Sequence, residues 1–169
     1  AASMVLGSNL VNSNAEAIVI DASQSAELGA ALPPDVGLFW TGNAVCAESV
    51  SAPDIAAINA EFGRRVTLWD NYPVNDGGTR ADFLFLEPLS HRDPALSGVL
   101  DGHLCNPMNQ GLLSLPALGG LARLYRTGEV DEELLAQSLG RACWERLQED
   151  ARVFADAGLQ GMGPDRCAE

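Results

Sequence analysis

Short apolar runs alternate with longer amphipathic segments along this chain of 169 residues. Four runs have the length and composition of buried strands, and each ends in polar residues: 17–20, 36–40, 66–69 and 100–105. They lack the regular polar–apolar alternation of a half-exposed strand. We therefore expect these strands to be covered on both faces of a parallel sheet.

The segments that separate the first three runs predict helices. Residues 25–32 form a short amphipathic stretch that two prolines close. Ser51 is placed to cap a second helix, because Asp54 follows it at the spacing of a capping box. Ile55 begins the apolar face of this helix, and Gly63 marks its end.

Two further helices are predicted after the fourth run. Residues 112–125 have a helical pattern, which Pro116 and the adjacent Gly119 and Gly120 should kink or interrupt. Asp131 is placed to cap the strongest amphipathic helix of the chain, which we expect to continue to about residue 158.

The alternation of strand and helix predicts an α/β fold with parallel strands joined by right-handed crossovers. Polar side chains follow the strands, as on the active-site rim of a (β/α)8 barrel, and no G-x-G-x-x-G nucleotide loop is present. A complete barrel needs about 250 residues. We therefore predict half of a (β/α)8 barrel over residues 1–126, followed by a helical extension over residues 127–169. Its open edges should recruit the missing half or a second copy of the chain.

Charge and cysteine usage exclude several classes of function. The chain has 23 acidic residues against 10 basic ones, all arginine, for a net charge of −13. This balance argues against nucleic acid and anionic membranes as partners. No apolar run approaches the roughly 20 residues of a membrane span. The four cysteines and two histidines lack metal-ligand spacing, so we expect no metal and no cofactor. Unpaired thiols favour a soluble cytoplasmic protein over a secreted one.

Four segments, in order, resemble motifs of glycoside hydrolase family 84, the O-GlcNAcases and bacterial hyaluronidase-like β-N-acetylglucosaminidases. Residues 39–45 resemble F-W-T-G-x-x-V, and residues 69–76 resemble W-D-N-x-x-x-N-D. Residues 85–92 resemble F-L-G-P-x-x-x-R, and residues 102–108 resemble a strand that ends in N-P-M or N-P-N. In that family these segments belong to the sixth, seventh and eighth barrel strands. The resemblance therefore implies strands 5–8, the C-terminal half of the catalytic barrel.

The resemblance also implies a binding site for terminal β-linked N-acetylglucosamine on a glycan or glycoprotein. Asp76 and Asn106 match the pair that bonds the hydroxyls at C4 and C6. Asn71 matches the side chain that faces the acetamido group. Trp69 matches the aromatic wall of the acetamide pocket, and Val45 would line the same pocket. A carboxylate and amides are suitable groups for these hydroxyls and this acetamide.

The catalytic pair of that family is missing from this sequence. The family hydrolyses its substrate by a substrate-assisted retaining mechanism, an exception to the common two-carboxylate scheme. Its two catalytic aspartates are adjacent, and this chain contains no Asp-Asp. It also has Gly77 in place of a family tyrosine, Glu87 in place of a glycine, and no tyrosine in residues 20–24. We therefore expect no catalytic residue here. Asp70 and Asp76 are interpreted as loop-capping carboxylates rather than an acid pair.

Three functions remain open from the sequence. The first is the C-terminal piece of a longer β-N-acetylglucosaminidase, which recognises the sugar and is inactive alone. The second is a catalytically silent half-barrel that binds glycans. The third is an acidic α/β protein-interaction domain, in which the asparagines and aspartates after the strands only cap turns.

Overall fold

A computed structural model of the chain describes residues 4–5, 22–78, 80–89, 91–130 and 132–158. The fold is mixed α/β with a small parallel sheet. Its elements follow in chain order: β1 Met4–Val5, α1 Ala22–Ala31, β2 Leu38–Trp40, α2 Ala52–Phe62, β3 Thr67–Asp70, α3 Leu96–Val99, β4 Gly102–Cys105, a 3₁₀ helix Gly111–Ser114, α4 Leu115–Thr127, α5 Glu132–Leu139 and α6 Arg141–Asp156.

The four strands lie in sequential order, β1-β2-β3-β4. β2 pairs in parallel with β1 and with β3, and Phe39 lies opposite Thr67. The runs predicted at 36–40, 66–69 and 100–105 are confirmed as β2, β3 and β4, while the run at 17–20 lies outside the described residues. Residues in β2 and β3 alternate between buried and half-buried, and Leu104 in β4 is exposed. The expectation of unbroken burial on both faces is therefore wrong for β4.

Local signals placed α2 correctly. Ser51 is its N-cap, and the Ser51 hydroxyl accepts a hydrogen bond from the backbone N–H of Asp54. Gly63 ends the helix with φ +65°, a left-handed conformation that glycine adopts without a steric penalty. The predicted helix at 25–32 is confirmed as α1, which begins three residues earlier, at Ala22.

The third predicted helix is divided just before Pro116, between residues 114 and 115, but not at the glycines. Residues 111–114 form the 3₁₀ helix, and Pro116 lies in the first turn of α4, where its missing N–H costs nothing. Gly119 and Gly120 both lie inside α4. A Cβ on Gly120 would come within 2.8 Å of the Pro88 side chain and 3.0 Å of the Leu89 backbone nitrogen. Glycine is present because the chain passes close to the helix there.

The predicted single helix from Asp131 to about residue 158 is wrong. The segment forms two helices, α5 and α6, and Gly140 separates them with φ +85°. Asp131 lies outside the described residues. A periodic apolar stripe does not reveal one residue of positive φ, because the residues on either side keep the same pattern. Asp150 in α6 is buried, and its Oδ2 lies 3.5 Å from Arg146 Nε.

The chain forms two compact units, each made of two sequence segments. Unit 1 comprises the described residues of 1–71 and 91–104, and unit 2 those of 72–90 and 105–169. The core of unit 1 includes Leu38, Ile55 and Leu68. Unit 2 contains three apolar clusters, centred on Leu86 with Met108 and Ala151, on Leu89 with Leu121 and Leu124, and on Leu135 with Ala136 and Trp144. The boundary predicted at residue 126 stays a prediction.

Candidate sugar-binding site

Unit 1 brings together three of the five predicted site residues. Trp69 lies in β3, Asn71 follows the end of that strand, and Val45 lies in the loop after β2. The indole N–H of Trp69 donates to Asn71 Oδ1 at 2.9 Å, and Asn71 Nδ2 donates to the Val45 carbonyl at 2.7 Å. This chain of hydrogen bonds decides which way the Asn71 amide faces, because its oxygen and nitrogen have different partners.

The surroundings of Trp69 hold its ring in place. The Phe39 ring packs edge-on against it, with ring centroids 5.7 Å apart and an interplanar angle of 90°. Trp69 itself is half-buried. Val45 is 44% exposed, and its carbonyl accepts the hydrogen bond from the Asn71 amide. Unit 1 therefore presents an oriented amide, an indole and an exposed valine at the C-terminal ends of β2 and β3.

A buried ion pair involves Asp70, the residue between Trp69 and Asn71. Asp70, the last residue of β3, receives two hydrogen bonds from Arg92, Nε to Oδ2 at 2.6 Å and Nη2 to Oδ1 at 2.8 Å. His103 Nε2 lies 3.1 Å from the same Oδ2. The side chains of Asp70 and Arg92 are each 2% exposed. Sequence reasoning interpreted Asp70 as a loop cap and did not find this pair.

The ion pair makes Asp70 unsuited to acid–base chemistry. Burial on its own raises the pKa of Asp70, but hydrogen bonds and positive charge from Arg92, with His103, outweigh burial and hold this pKa below its ordinary value. A general acid needs a pKa near the working pH. Asp70 therefore stays ionised and acts as an anchor for Arg92.

Arg92 also orders the loop that carries Val45. Its Nη1 donates to the Glu48 and His91 carbonyls, and its Nη2 donates to the Ala47 carbonyl, all at 2.9–3.0 Å. Val50 forms an isolated parallel bridge with Arg92. The guanidinium thus connects the loop after β2 to the end of β3, which Asn71 directly follows.

In unit 2, Asn75 joins two loops. Its side chain is almost fully buried, at 1% exposed. Asn75 Nδ2 donates to the Phe83 carbonyl at 3.0 Å and to Gln110 Oε1 at 2.8 Å. Asn75 Oδ1 accepts from the backbone N–H of Asn109 at 3.0 Å. The loop after β3 is therefore bonded directly to the loop after β4.

Asp76 and Asn106, the other two predicted site residues, lie on these two loops. Asp76 is exposed and directly follows Asn75. Gly77, the next residue in the chain, has φ +75°. Asn106 is half-buried and directly follows β4. The five predicted residues thus fall into two groups: Val45, Trp69 and Asn71 in unit 1, and Asp76 and Asn106 in unit 2.

The buried polar residues that sequence analysis did not identify lie within the four family-like segments. Asp70 and Asn75 occupy the W-D-N-x-x-x-N-D segment, Arg92 ends the third segment, and His103 lies in the fourth. Their residue types carry no sign of burial. Only their long-range partners, 22 residues away for Asp70 and Arg92, reveal what they do.

The described ranges also bear on metal binding and on membrane insertion. Within them, no group of three or more His, Cys, Asp or Glu side chains could hold a metal ion. In the same part of the chain, no helix combines the length and the apolar character needed to cross a bilayer.

Comparison with known proteins relates this arrangement to one enzyme family. The family model described as beta-N-acetylglucosaminidase matches residues 11–156. Among solved structures, a mutant O-GlcNAc hydrolase from Thermobaculum terrenum matches with a TM-score of 0.74 and 25% sequence identity. The match covers 96% of this chain and 35% of that one, so the chain spans about a third of the length of this relative.

Proposed function

Because the chain belongs to the beta-N-acetylglucosaminidase family, we propose that it is the sugar-recognising part of a glycoside hydrolase that removes terminal β-linked N-acetylglucosamine. In this proposal, the parallel strands form the C-terminal half, strands 5–8, of a (β/α)8 barrel. Two observations support it: three adjacent strands have parallel pairing, and the proposed site residues lie in β3 or in the segments that follow β2, β3 and β4. The missing half-barrel or a second copy of the chain would complete the sheet.

The observation that carries the proposal is the hydrogen-bonded chain from Trp69 through Asn71 to Val45. An N-acetyl group has one amide donor, one acceptor and a methyl group. A fixed asparagine amide beside an indole and an exposed valine offers a complement to all three. We assign Asn71 to the acetamido group, and Trp69 and Val45 to the wall around its methyl.

Asp76 and Asn106 supply the second half of the proposed recognition. An ionised carboxylate accepts hydrogen bonds from neutral hydroxyls, and these charge-assisted bonds are stronger than neutral ones. An amide can both accept from and donate to a hydroxyl. We assign this pair to the hydroxyls at C4 and C6, and the partner molecule is a glycan or glycoprotein that ends in N-acetylglucosamine.

The residues of this chain bind and orient the substrate in the proposed reaction. The acetamido oxygen of the sugar attacks its own anomeric carbon as the glycosidic bond breaks, and the leaving oxygen takes a proton from a general acid. Water later opens the intermediate, and the same acid, now a base, accepts its proton. Asp70 is held ionised by Arg92 and cannot donate that proton. The adjacent aspartates are therefore assigned to a part of the enzyme outside this sequence.

The direct test is titration of the chain with N-acetylglucosamine, N-acetylgalactosamine and glucose. The proposal expects N-acetylglucosamine to bind best, because only it has both the acetamido group and the equatorial C4 hydroxyl. Asp76→Ala and Asn106→Ala should each weaken binding about tenfold or more, the cost of removing one charged or polar contact to the sugar. Asp35→Ala, the matched loss of an exposed carboxylate before β2, should change nothing.

The same titration distinguishes the other functions. Equal affinity for all three sugars, or no binding at millimolar concentrations, would contradict the proposal and favour the acidic interaction domain. The absence of Asp-Asp supports a silent glycan-binding half-barrel as the second candidate. Fusing this chain to a family half-barrel that contains the aspartate pair separates these two. Turnover of an aryl N-acetylglucosaminide by the fusion supports the enzyme, and binding without turnover supports the silent module.

A further inference from the structure

We infer that Asn75 is a positioning residue that sets the recognition of the sugar hydroxyls by Asp76 and Asn106. This inference rests on the proposed function. It concerns a residue with no part in that proposal, which is almost fully buried and belongs to one of the two loops that carry the proposed ligand-binding side chains.

The hydrogen bonds of Asn75 show that it does not bind a ligand directly. A neutral asparagine amide has two N–H donors. In Asn75 one donates to the Phe83 carbonyl and the other to Gln110 Oε1, so both are occupied within the protein. With 1% of the residue exposed, no face of the amide is open to a sugar. Whatever Asn75 contributes to binding must act through its neighbours.

Those neighbours are the two loops themselves. Asn75 is bonded covalently to Asp76, so fixing its side chain fixes the backbone from which the Asp76 carboxylate extends. Its Oδ1 accepts the N–H of Asn109, three residues beyond Asn106. One side chain therefore links the backbone that carries Asp76 directly to the loop of Asn106.

The loop of Asn106 is anchored at other points as well. The backbone N–H of Met108 donates to the buried Ser114 hydroxyl at 3.0 Å, and Met108 Sδ accepts from the backbone N–H of Phe85 at 3.3 Å. Ser114 connects this loop to the 3₁₀ helix, and Phe85 lies beyond the turn that carries Asp76. Asn75 is the contact nearest to Asp76 among these. Its loss should shift the two loops relative to each other without releasing the Asn106 loop.

Two recognition groups that bond two hydroxyls of the same sugar tolerate a relative displacement of only about half an ångström. A shift of one loop should therefore remove recognition of the hydroxyls and leave recognition of the acetamido group, which the proposal assigns to Trp69 and Asn71. A merely structural role would instead weaken all contacts to the sugar by similar factors.

The substitutions that test this are Asn75→Asp and Gln110→Ala. Asn75→Asp keeps the size and the acceptor for Asn109, but it replaces both donors with a carboxylate that faces the Phe83 carbonyl. Gln110 is exposed, and Gln110→Ala removes one of the three hydrogen bonds of the Asn75 side chain. It therefore tests the same inference if Asn75→Asp does not fold. Gln137→Glu, an amide-to-acid change on the exposed face of α5, is the control.

Each protein is titrated with N-acetylglucosamine, its 4-deoxy analogue and glucose. In the wild type, loss of the C4 hydroxyl should weaken binding about tenfold. In Asn75→Asp we expect N-acetylglucosamine to bind about tenfold more weakly, with no further loss for the 4-deoxy sugar and an unchanged preference over glucose. Gln110→Ala should weaken the binding of N-acetylglucosamine and of glucose by a smaller factor. Gln137→Glu should match the wild type.

Two results would overturn the inference alone. One is an unchanged penalty for the 4-deoxy sugar in folded Asn75→Asp or, where that variant does not fold, in Gln110→Ala. The other is an equal loss of the preference for the C4 hydroxyl and of the preference for N-acetylglucosamine over glucose. Failure of the wild type to prefer N-acetylglucosamine over glucose would overturn the proposed function and this inference with it, and the wild-type titration alone reveals that outcome.

Discussion

Asp70 and Arg92 form a two-pronged ion pair in the interior of unit 1, with N–O distances of 2.6 and 2.8 Å and both side chains 2% exposed. The pair connects the end of β3 to the segment before α3. The other N–H groups of Arg92 donate to carbonyls of the loop that carries Val45 and to the carbonyl of His91. The proposed acetamide-binding group is built on this connection, since Asn71 follows Asp70 directly.

Removing one partner of this pair should be strongly destabilising. Arg92→Ala leaves a buried carboxylate and several carbonyls without donors, and the expected loss in the free energy of unfolding is about 3–5 kcal/mol. Arg92→Lys should recover only part of it, because an ammonium cannot reproduce the two parallel hydrogen bonds. Chemical denaturation followed by circular dichroism measures these losses.

The control for that experiment is Arg141→Ala, which breaks the exposed ion pair between Arg141 and Glu133. Water and salt screen such a pair, so no measurable change in the unfolding free energy is expected. Comparable losses for Arg92→Ala and Arg141→Ala would show that burial of the Asp70–Arg92 pair does not govern its contribution.

The same pair predicts an acid-sensitive part of the stability. The pKa of Asp70 is lower in the folded chain than the value of about 3.9 expected when unfolded. Between these two values the unfolded chain binds more protons, so stability rises with pH there. The contribution of Asp70 is complete above about pH 4 and is lost as the pH falls through the lower folded value.

Asp70→Asn tests this pH dependence. Unfolding free energies of wild type and variant are measured at intervals from pH 2 to 6, and their difference isolates Asp70 from the other carboxylates. The difference should be constant above about pH 4 and shrink towards lower pH. A difference that does not change with pH would contradict the role of the ionised carboxylate.

Trp69→Phe should selectively weaken recognition of the acetamido group. Phenylalanine keeps a ring against Phe39 but removes the N–H that donates to Asn71 Oδ1. Loss of one neutral hydrogen bond predicts a three- to tenfold weaker affinity for N-acetylglucosamine, with the affinity for glucose nearly unchanged. Trp144→Phe, the same substitution on α6, should leave both affinities as they are. An unaltered preference in Trp69→Phe would contradict the orienting role of the indole.

Gly29→Ala should destabilise unit 1 through the contact between α1 and α2. A Cβ on Gly29 would overlap the carbonyl oxygen of Phe62, a backbone atom that cannot rotate away. The expected cost is at least about 1–3 kcal/mol, the range for overpacking a well-packed site. Gly98→Ala, in α3 with open space around the added methyl, should be neutral or slightly stabilising. Thermal unfolding of the two variants provides the comparison, and equal midpoints would contradict the close approach of the helices.

Features encoded within a few residues were predictable. α2 was predicted from Ser51 to Gly63 because its cap, its apolar face and its terminating glycine are local. The break between α5 and α6 and the uninterrupted course of α4 through Gly120 were not. Both depend on a backbone conformation or a neighbouring segment that periodicity does not encode.

The sequence by itself determined the family, the alternation of β2, α2 and β3 along the chain, and the absence of an adjacent aspartate pair, because these follow from residue types and spacing. Only the tertiary structure decided which polar residues of one motif turn inward. Asp70 and Asn75 are buried, whereas Asp76 is exposed. The physical reason is that a polar group can be buried only where distant residues replace its hydrogen bonds to water, and here Arg92 and Asn109 supply those partners.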